Sequence, residues 1–590
     1  MFQLRYLPFL KVNISIFLLD LLKFYFWDYV VFLFYCYKCF INNSLIMVVL
    51  KKVLGILFLV FISGIIEAKT GYDKFYQNLP FPMEKIVTPV FKNNSIYVSD
   101  YGGLGDGYTI NTKAFKDAIE ALSNKGGGML KVPAGVWFTG PVELKSNINL
   151  HLEKGALILF SPDFNLYPLV KTCFEGLETT RCQSPISARN AINVAITGEG
   201  SINGSGEAWR PLKKAKVTDA QWKKVIKSGG VLKDPTYWFP TKGSLQGQSM
   251  SDMNVPNGKL SDAEWLEIRD FLRPAMINFI ECKNVMLQGV LFENSPSWNI
   301  HPLMCTNVII DNIYVRNPNY AQNGDGIDIE SCKNVLLINS TFDVGDDAMC
   351  IKSGKDEEGR SRARPTENVI VDNCKVFKAH GGFVVGSEMS GGVRNISVRN
   401  CQFLGTDVGL RFKSNRGRGG LVENIYISDI YMFDIATDSF LFDLYYGGKS
   451  ATEALDDGDQ TPKTTQIPPV TAETPSFRNI YIKNIVSRNA RRAMFFNGLP
   501  EMNISNINVE NVIITSEYGA MICESDGIKF KNIRILQQTG AALTLQNVKN
   551  FDLKEFTYPV TNPEVVKIIG TSENIQLPSS IEKQKIVGMR

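Results

Sequence analysis

The stretches CKNVMLQGVLFENS (282–295), CTNVIIDNIYVRNP (305–318) and CKNVLLINSTFDVG (332–345) share one layout, and four later stretches repeat it. These are TENVIVDNCKVFKA (366–379), VRNISVRNCQFLGT (393–406), VENIYISDIYMFD (422–434) and FRNIYIKNIVSRNA (477–490). Each opens with Asn before Val or Ile and then alternates apolar and polar residues, the period-2 pattern of a short strand. The opening residues are Asn284, Asn307, Asn334, Asn368, Asn395, Asn424 and Asn479, at intervals of 23, 27, 34, 27, 29 and 55. A variable period of this size with short strands predicts an all-β, right-handed parallel β-helix. A propeller would need longer, four-stranded blades. The aligned asparagines read as scaffold at rung corners, bonding to the backbone of neighbouring turns.

Outward from this core, NTKAFKDAIEALSNKGGG (111–128) reads as an amphipathic helix with Phe115, Ile119 and Leu122 on one face, stopped by its glycine run. It is placed to cap the open end of the solenoid, where strand edges would otherwise be exposed. The glycine-rich 102–107 lacks the ending of a phosphate loop and reads as a turn. Residues 211–274 break the strand pattern. Thr218-x-x-Gln221 and Ser261-x-x-Glu264 are capping boxes, so this is a partly helical insertion, read as a lid or wall. The alternative is a surface excursion. The β-helix is expected over 96–560, between a linker at 69–95 and a tail at 561–590.

Residues 47–68 have Lys51-Lys52, an apolar run and Ala68, the layout of a secretory signal peptide. Residues 1–46 are apolar but interrupted by Asp20, Lys23 and Asp28, and read as an over-extended gene start rather than a membrane span. The expected location is the periplasm or the exterior, with no stable membrane partner after cleavage. Lys+Arg 63 against Asp+Glu 59 gives no nucleic-acid signature, so attraction to a polyanion must be local. Of the nine cysteines after the leader, Cys173 and Cys182 flank a short loop and could pair. Cys305 and Cys332, and Cys374 and Cys401, recur at 27 residues, as buried stacked thiols would. No spacing suggests a zinc site, and neither metal nor cofactor is expected.

Chemistry concentrates between Asn323 and Lys413. NGDGID, GDD, AHGG and RFK follow one another at about rung length, and stacked strands lie about 4.8 Å apart. Asp325, Asp346 and Asp347 therefore fall close together, where like charges raise one another's proton affinity. Paired carboxyls of that kind suit glycoside hydrolysis, one protonating the leaving oxygen and another activating water. Alternation in Arg411-Phe412-Lys413 sends both cations outward, towards a substrate carboxylate or towards the aspartates themselves. His380, beside Gly381-Gly382, is placed to tune the acid; His151 and His301 read as structural.

NGDGID, GDDAMCIKSG, AHGGFVVGSEMSGG and GLRFKS resemble the signature blocks of glycoside hydrolase family 28, the polygalacturonases. The resemblance implies a right-handed parallel β-helix that hydrolyses α-1,4-galacturonosyl bonds of polygalacturonate with inversion. By residue, it implies Asp346 as general acid, Asp325 and Asp347 as the pair activating water, and His380 as the active-site histidine. Arg411 and Lys413 are implied to bind a galacturonate carboxylate, with Asn323 and Tyr446 also assigned to substrate. Gly324 and Ala379 depart from the usual threonine and glycine, but neither removes a reacting group. The Arg-rich excursion after GDD resembles that of bacterial members acting from chain ends, and Arg360, Arg362 and Arg364 are expected to grip a terminal acidic sugar. Competing expectations are hydrolysis of rhamnogalacturonan or substituted pectin, a pectate lyase, and a non-catalytic carbohydrate-binding solenoid.

Overall fold

The computed structural model describes residues 71–448, 467–561 and 563–588. The leader readings at 1–46 and 47–68 lie outside the described residues. Among the described residues no helix is long and apolar enough to cross a membrane.

The unit Asp73–Arg590 is a right-handed parallel β-helix built on one 32-stranded sheet. Every repeat read from the sequence is one rung, and the register is in step. Val285 lies over Val308, Val308 over Val335, Val335 over Val369 and Val369 over Ile396. All five are buried, so each rung extends one apolar column. A buried Val or Ile is worth about 1.5–3 kcal/mol. No single rung can bury this face by itself, so stability comes from stacking. From Leu421 to Thr557 four long strands of 22 to 29 residues each wind through whole turns.

The asparagine ladder has a sharper cause than its sequence reading. Asn284, Asn307, Asn334, Asn368 and Asn395 have φ of 58°, 60°, 58°, 59° and 58°. Left-handed backbone is a conformation Asn tolerates better than other side chains. Each amide donates to the asparagine one rung earlier, at 3.1 Å from Asn307 to Asn284 and 3.2 Å from Asn334 to Asn307. The partner is thus a neighbouring side chain and not the backbone.

Helix α1 (Thr112–Asn124) buries Phe115, Ile119 and Leu122 against the first rungs, as its pattern predicts. Within the insertion, α2 (Asp219–Lys227) and α4 (Asp262–Glu267) start at the two predicted capping boxes. Between them α3 (Lys242–Ser249) is capped by Thr241, and a three-stranded and a two-stranded antiparallel sheet complete the insertion.

Three expectations need correction. Residues 73–90 are no free linker: Phe75, Phe81 and Ile86 are buried, and Arg399 donates to the carbonyls of Phe75 and Gln77. The stretch 561–590 is no bare tail, because Val566–Ile569, Glu573–Gln576 and Ile586–Val587 add strands to the solenoid. Cys173 and Cys182 are not paired. They lie on the antiparallel hairpin Leu169–Phe174/Leu177–Cys182, where Cys173 faces Glu178 and Cys182 faces Leu169, so hairpin register holds them apart. None of the nine described cysteines is in a disulfide and all are buried, and Cys305 stacks on Cys332 with its backbone N–H 3.3 Å from the sulfur.

Candidate active site

Four stacked strands carry the site: β1 (Ile327–Glu330), β2 (Met349–Lys352), β3 (Gly381–Val385) and β4 (Val408–Lys413). Ile327 and Ile329 pair with Met349 and Ile351 inside the core. Alternation then sends Asp328 and Glu330, Cys350 and Lys352, and Arg411 and Lys413 to the other face. The aspartates sit in the turns that enter β1 and β2. Gly326 N–H donates to the Asp347 carbonyl at 2.9 Å, so the rung mate of Asp325 is Asp347, with Asp346 beside it. One oxygen from each of Asp325, Asp346 and Asp347 lies within 4.8 Å of the others. Such a set is also a donor group for a hard cation, but here it carries its own counter-ions.

Those counter-ions are the two predicted cations. Arg411 Nη1 donates to Asp347 Oδ1 at 2.9 Å and Lys413 Nζ to Asp347 Oδ2 at 2.7 Å. Burial alone would raise Asp347; Lys413 and Arg411 outweigh it and hold this carboxyl well below its ordinary value. Asp325 has the opposite environment. Burial first, then the charges of Asp328 and Asp346, push it well above the usual carboxylate range, and its Oδ1 has no protein partner. Two rung-mate carboxyls are thus driven apart in proton affinity. That is the condition under which one acts as an acid or neutral donor while the other stays ionised. Asp346 is the most open of the three; its Oδ1 accepts from the Asp347 N–H.

His380 donates its backbone N–H to the Asp346 carbonyl at 3.0 Å, and its Nδ1 is 3.4 Å from Asp407 Oδ2. Gly381 is required by crowding: a Cβ there would stand 3.1 Å from Asp347 Oδ1 and 3.3 Å from Arg411 Cδ. Tyr446 lies against both cations, with ring distances of 4.9 Å to Lys413 and 5.8 Å to Arg411. Asn323 Oδ1 accepts from Arg273 Nη2 at 2.8 Å. Arg273 also donates to the Gln322 carbonyl, and Tyr237 donates to Gln322 Oε1 at 2.9 Å. The insertion therefore abuts the turn that carries Asp325.

The three loop arginines do not meet at the carboxylates. Arg360 donates to the carbonyls of Gly417 and Arg418, and Arg364 to that of Met304. Arg362 reaches Glu330 at 3.2 Å and the Cys173 sulfur at 3.4 Å. Their loop contains α5 (Asp356–Arg362), whose Glu358 accepts from the Glu178 N–H at 2.7 Å. The excursion is thus fastened to the Leu169–Cys182 hairpin. That hairpin lines a cavity of about 180 Å³ with Asn278 and His301. The two are successive rung mates on the face that continues to Asp328. The groove on the N-terminal side of Asp325 is therefore walled.

Several groups escaped the sequence reading. Lys352, 4 % exposed, lies 3.2 Å from Asp328 and 3.2 Å from Glu388, over the Trp298 ring at 3.8 Å. Burial opposes its charge, but Asp328 and Glu388 outweigh it and raise its proton affinity. Burial lifts Asp328 to about 6, while Lys352 and Lys413 overcome burial and hold Glu388 at about 2. His301 pairs with Glu330 at 2.9 Å. Alternation in IDIE and MCIK signals Asp328 and Lys352, and Asp407 stands one 27-residue period after His380.

The model of Glycosyl hydrolases family 28 matches residues 269–484, which include the three aspartates, His380, Arg411, Lys413 and Tyr446. An exopolygalacturonase from Thermotoga maritima is 32% identical with a TM-score of 0.58, covering 76% of this chain and 93% of that one. A probable polygalacturonase of Vitis vinifera is 28% identical over 431 residues, 71% of this chain and 74% of its own. An exo-poly-alpha-D-galacturonosidase of Dickeya chrysanthemi is 26% identical over 475 residues, 77% and 73% of the two chains.

Proposed function

The chain belongs to Glycosyl hydrolases family 28, and from that premise we propose that it hydrolyses α-1,4-galacturonosyl bonds of polygalacturonate, releasing galacturonic acid from chain ends. The observation carrying this reading is the three-carboxylate cluster with Arg411 and Lys413 on Asp347. Asp346, the most open carboxyl, protonates the leaving oxygen. Asp347, kept ionised by two cations, takes the proton of the attacking water. Asp325 holds the same water through its unpartnered Oδ1. His380, oriented by Asp407, tunes Asp346 through the shared turn. Arg411 retains an unpartnered Nε–H and, with Lys413 and Tyr446, receives the substrate carboxylate.

Action from chain ends is supported by the wall on the N-terminal side of Asp325, built from the hairpin, α5 and the insertion. In this reading Arg362 and Arg364 brace that wall, while Arg360 ties the same loop to the carbonyls of Gly417 and Arg418. Inversion is implied by the family resemblance. General spacing rules, about 6.5–9.5 Å between carboxyls for inversion and about 5–5.5 Å for retention, do not assign it from nearest oxygens, so proton NMR of the first-formed anomer is its test. A β-anomer supports inversion. The signal-peptide layout of residues 47–68 supports export, with N-terminal sequencing of the mature protein as the check.

The deciding experiment is a product profile on polygalacturonate and rhamnogalacturonan. Monomeric or dimeric galacturonate at the earliest times, from the first substrate alone, supports the proposal. A ladder of mid-length oligomers would overturn action from chain ends, and preferential cleavage of rhamnogalacturonan would overturn the substrate.

A further inference from the structure

The edge that carries His380 continues past the carboxylates. Asp407 follows one rung on, and Thr437 N–H donates to the Asp407 carbonyl at 2.8 Å. Beyond Thr437 opens a cavity of about 390 Å³, lined by Asp438, Arg491, Arg492, Tyr518 and Gly540 among others. Its register is continuous: Asp438 pairs with Arg492, Arg492 with Tyr518 and Tyr518 with Thr539. Arg491 stands three rungs from His380, about 14 Å at the usual strand spacing. None of the sequence motifs covers this place.

Its charges are unevenly satisfied. Arg492 lies along Asp438 with two contacts, 2.5 and 3.2 Å, and over the Phe495 ring at 3.8 Å. The Tyr518 hydroxyl is engaged by Glu517. Among the described residues Arg491 has no ion-pair partner, and it is exposed. The Tyr518 ring is 40% exposed beside it. A free guanidinium next to an open aromatic face and a peptide-lined floor at Gly519, Ala520 and Gly540 is a site for a pyranose carrying a carboxylate.

We propose that this cavity is a distal subsite for a uronate residue of the polymer, several sugars from the bond being cut. Arg491 binds the carboxylate and Tyr518 the ring face. The inference rests on the polyuronate reading of the carboxylate cluster. It gives the open side of the groove a grip on the remaining chain, while the walled side holds the terminal sugar. A site so far from the reacting atoms adds affinity that short substrates cannot use.

The test is kcat/KM on galacturonate oligomers of three and eight units, with the full-length enzyme and Arg491→Ala, Tyr518→Ala and Arg491→Lys. Loss of one charge-assisted contact corresponds to roughly tenfold in affinity. The ratio of octamer to trimer kcat/KM should therefore fall roughly tenfold in Arg491→Ala, through KM, with partial recovery in Arg491→Lys. Arg488→Ala, exposed but outside the cavity, should keep the wild-type ratio. Equal losses on both substrates, or an unchanged ratio in Arg491→Ala, would overturn the distal subsite alone. Failure of the unaltered enzyme to cleave either oligomer would overturn the polyuronate reading, and the subsite with it.

Discussion

Asp325 is a buried carboxyl facing like charges, and replacing it by Asn should change how stability depends on pH. In the folded chain its proton affinity is raised by burial, Asp328 and Asp346. The unfolded value is about 3.9. Between these two values the folded chain holds a proton that the unfolded chain has released. The contribution of Asp325 is therefore most favourable below the unfolded value and declines as pH rises towards the folded one. One group gives a slope of about 1.36 kcal/mol per pH unit in that window. A unit of roughly 500 residues unfolds with an entropy near 1 kcal/mol/K, so this slope is worth about 1 °C of melting temperature per pH unit. Asn cannot titrate, whatever constant offset its unpartnered amide adds. Melting curves of both proteins from pH 3.5 to 6.5 should diverge above pH 4, the Asp325→Asn variant gaining on the wild type as pH rises. Parallel profiles across that range would refute the assigned environment.

Lys352→Met should cost about 3–5 kcal/mol, because it leaves Asp328 and Glu388 buried without their cation; the melting temperature should drop by about 3–5 °C. A drop below about 1 °C would show that the carboxyls are not relying on Lys352. Asp407→Asn should lower kcat roughly tenfold and displace the pH profile of kcat, with KM changed less than about twofold, if Asp407 positions the His380 ring. An unchanged pH profile would assign the 3.4 Å contact to packing.

The solenoid was legible because its physics is local and repeated. Val285, Val308 and Val335 recur at rung length, and Asn284, Asn307 and Asn334 mark left-handed corners that few other residues tolerate. The triad was legible because NGDG and GDD fall one rung apart, so the period itself brings Asp325 to Asp347. Partners chosen across the groove were less so. Lys352 is aligned with Glu330 by register, yet its ammonium goes to Asp328 and Glu388, and no spacing encodes that choice. Arg360, Arg362 and Arg364 alternate in sequence, but α5 ends at Arg362 and Ala363 turns left-handed before Arg364, so the three meet different neighbours. Residues 73–90 carry no periodicity, and what makes them part of the fold is burial of Phe75, Phe81 and Ile86 together with the Arg399 contacts to their backbone.

The central claim is that Asp346 donates the proton that breaks a galacturonosyl bond. Reducing-end release from polygalacturonate by Asp346→Asn tests it most directly, with the melting curve recorded alongside. Turnover should fall at least a hundredfold, the usual scale of a lost general acid, with the fold retained. Turnover within about twofold of the wild type, in a folded variant, would contradict the account.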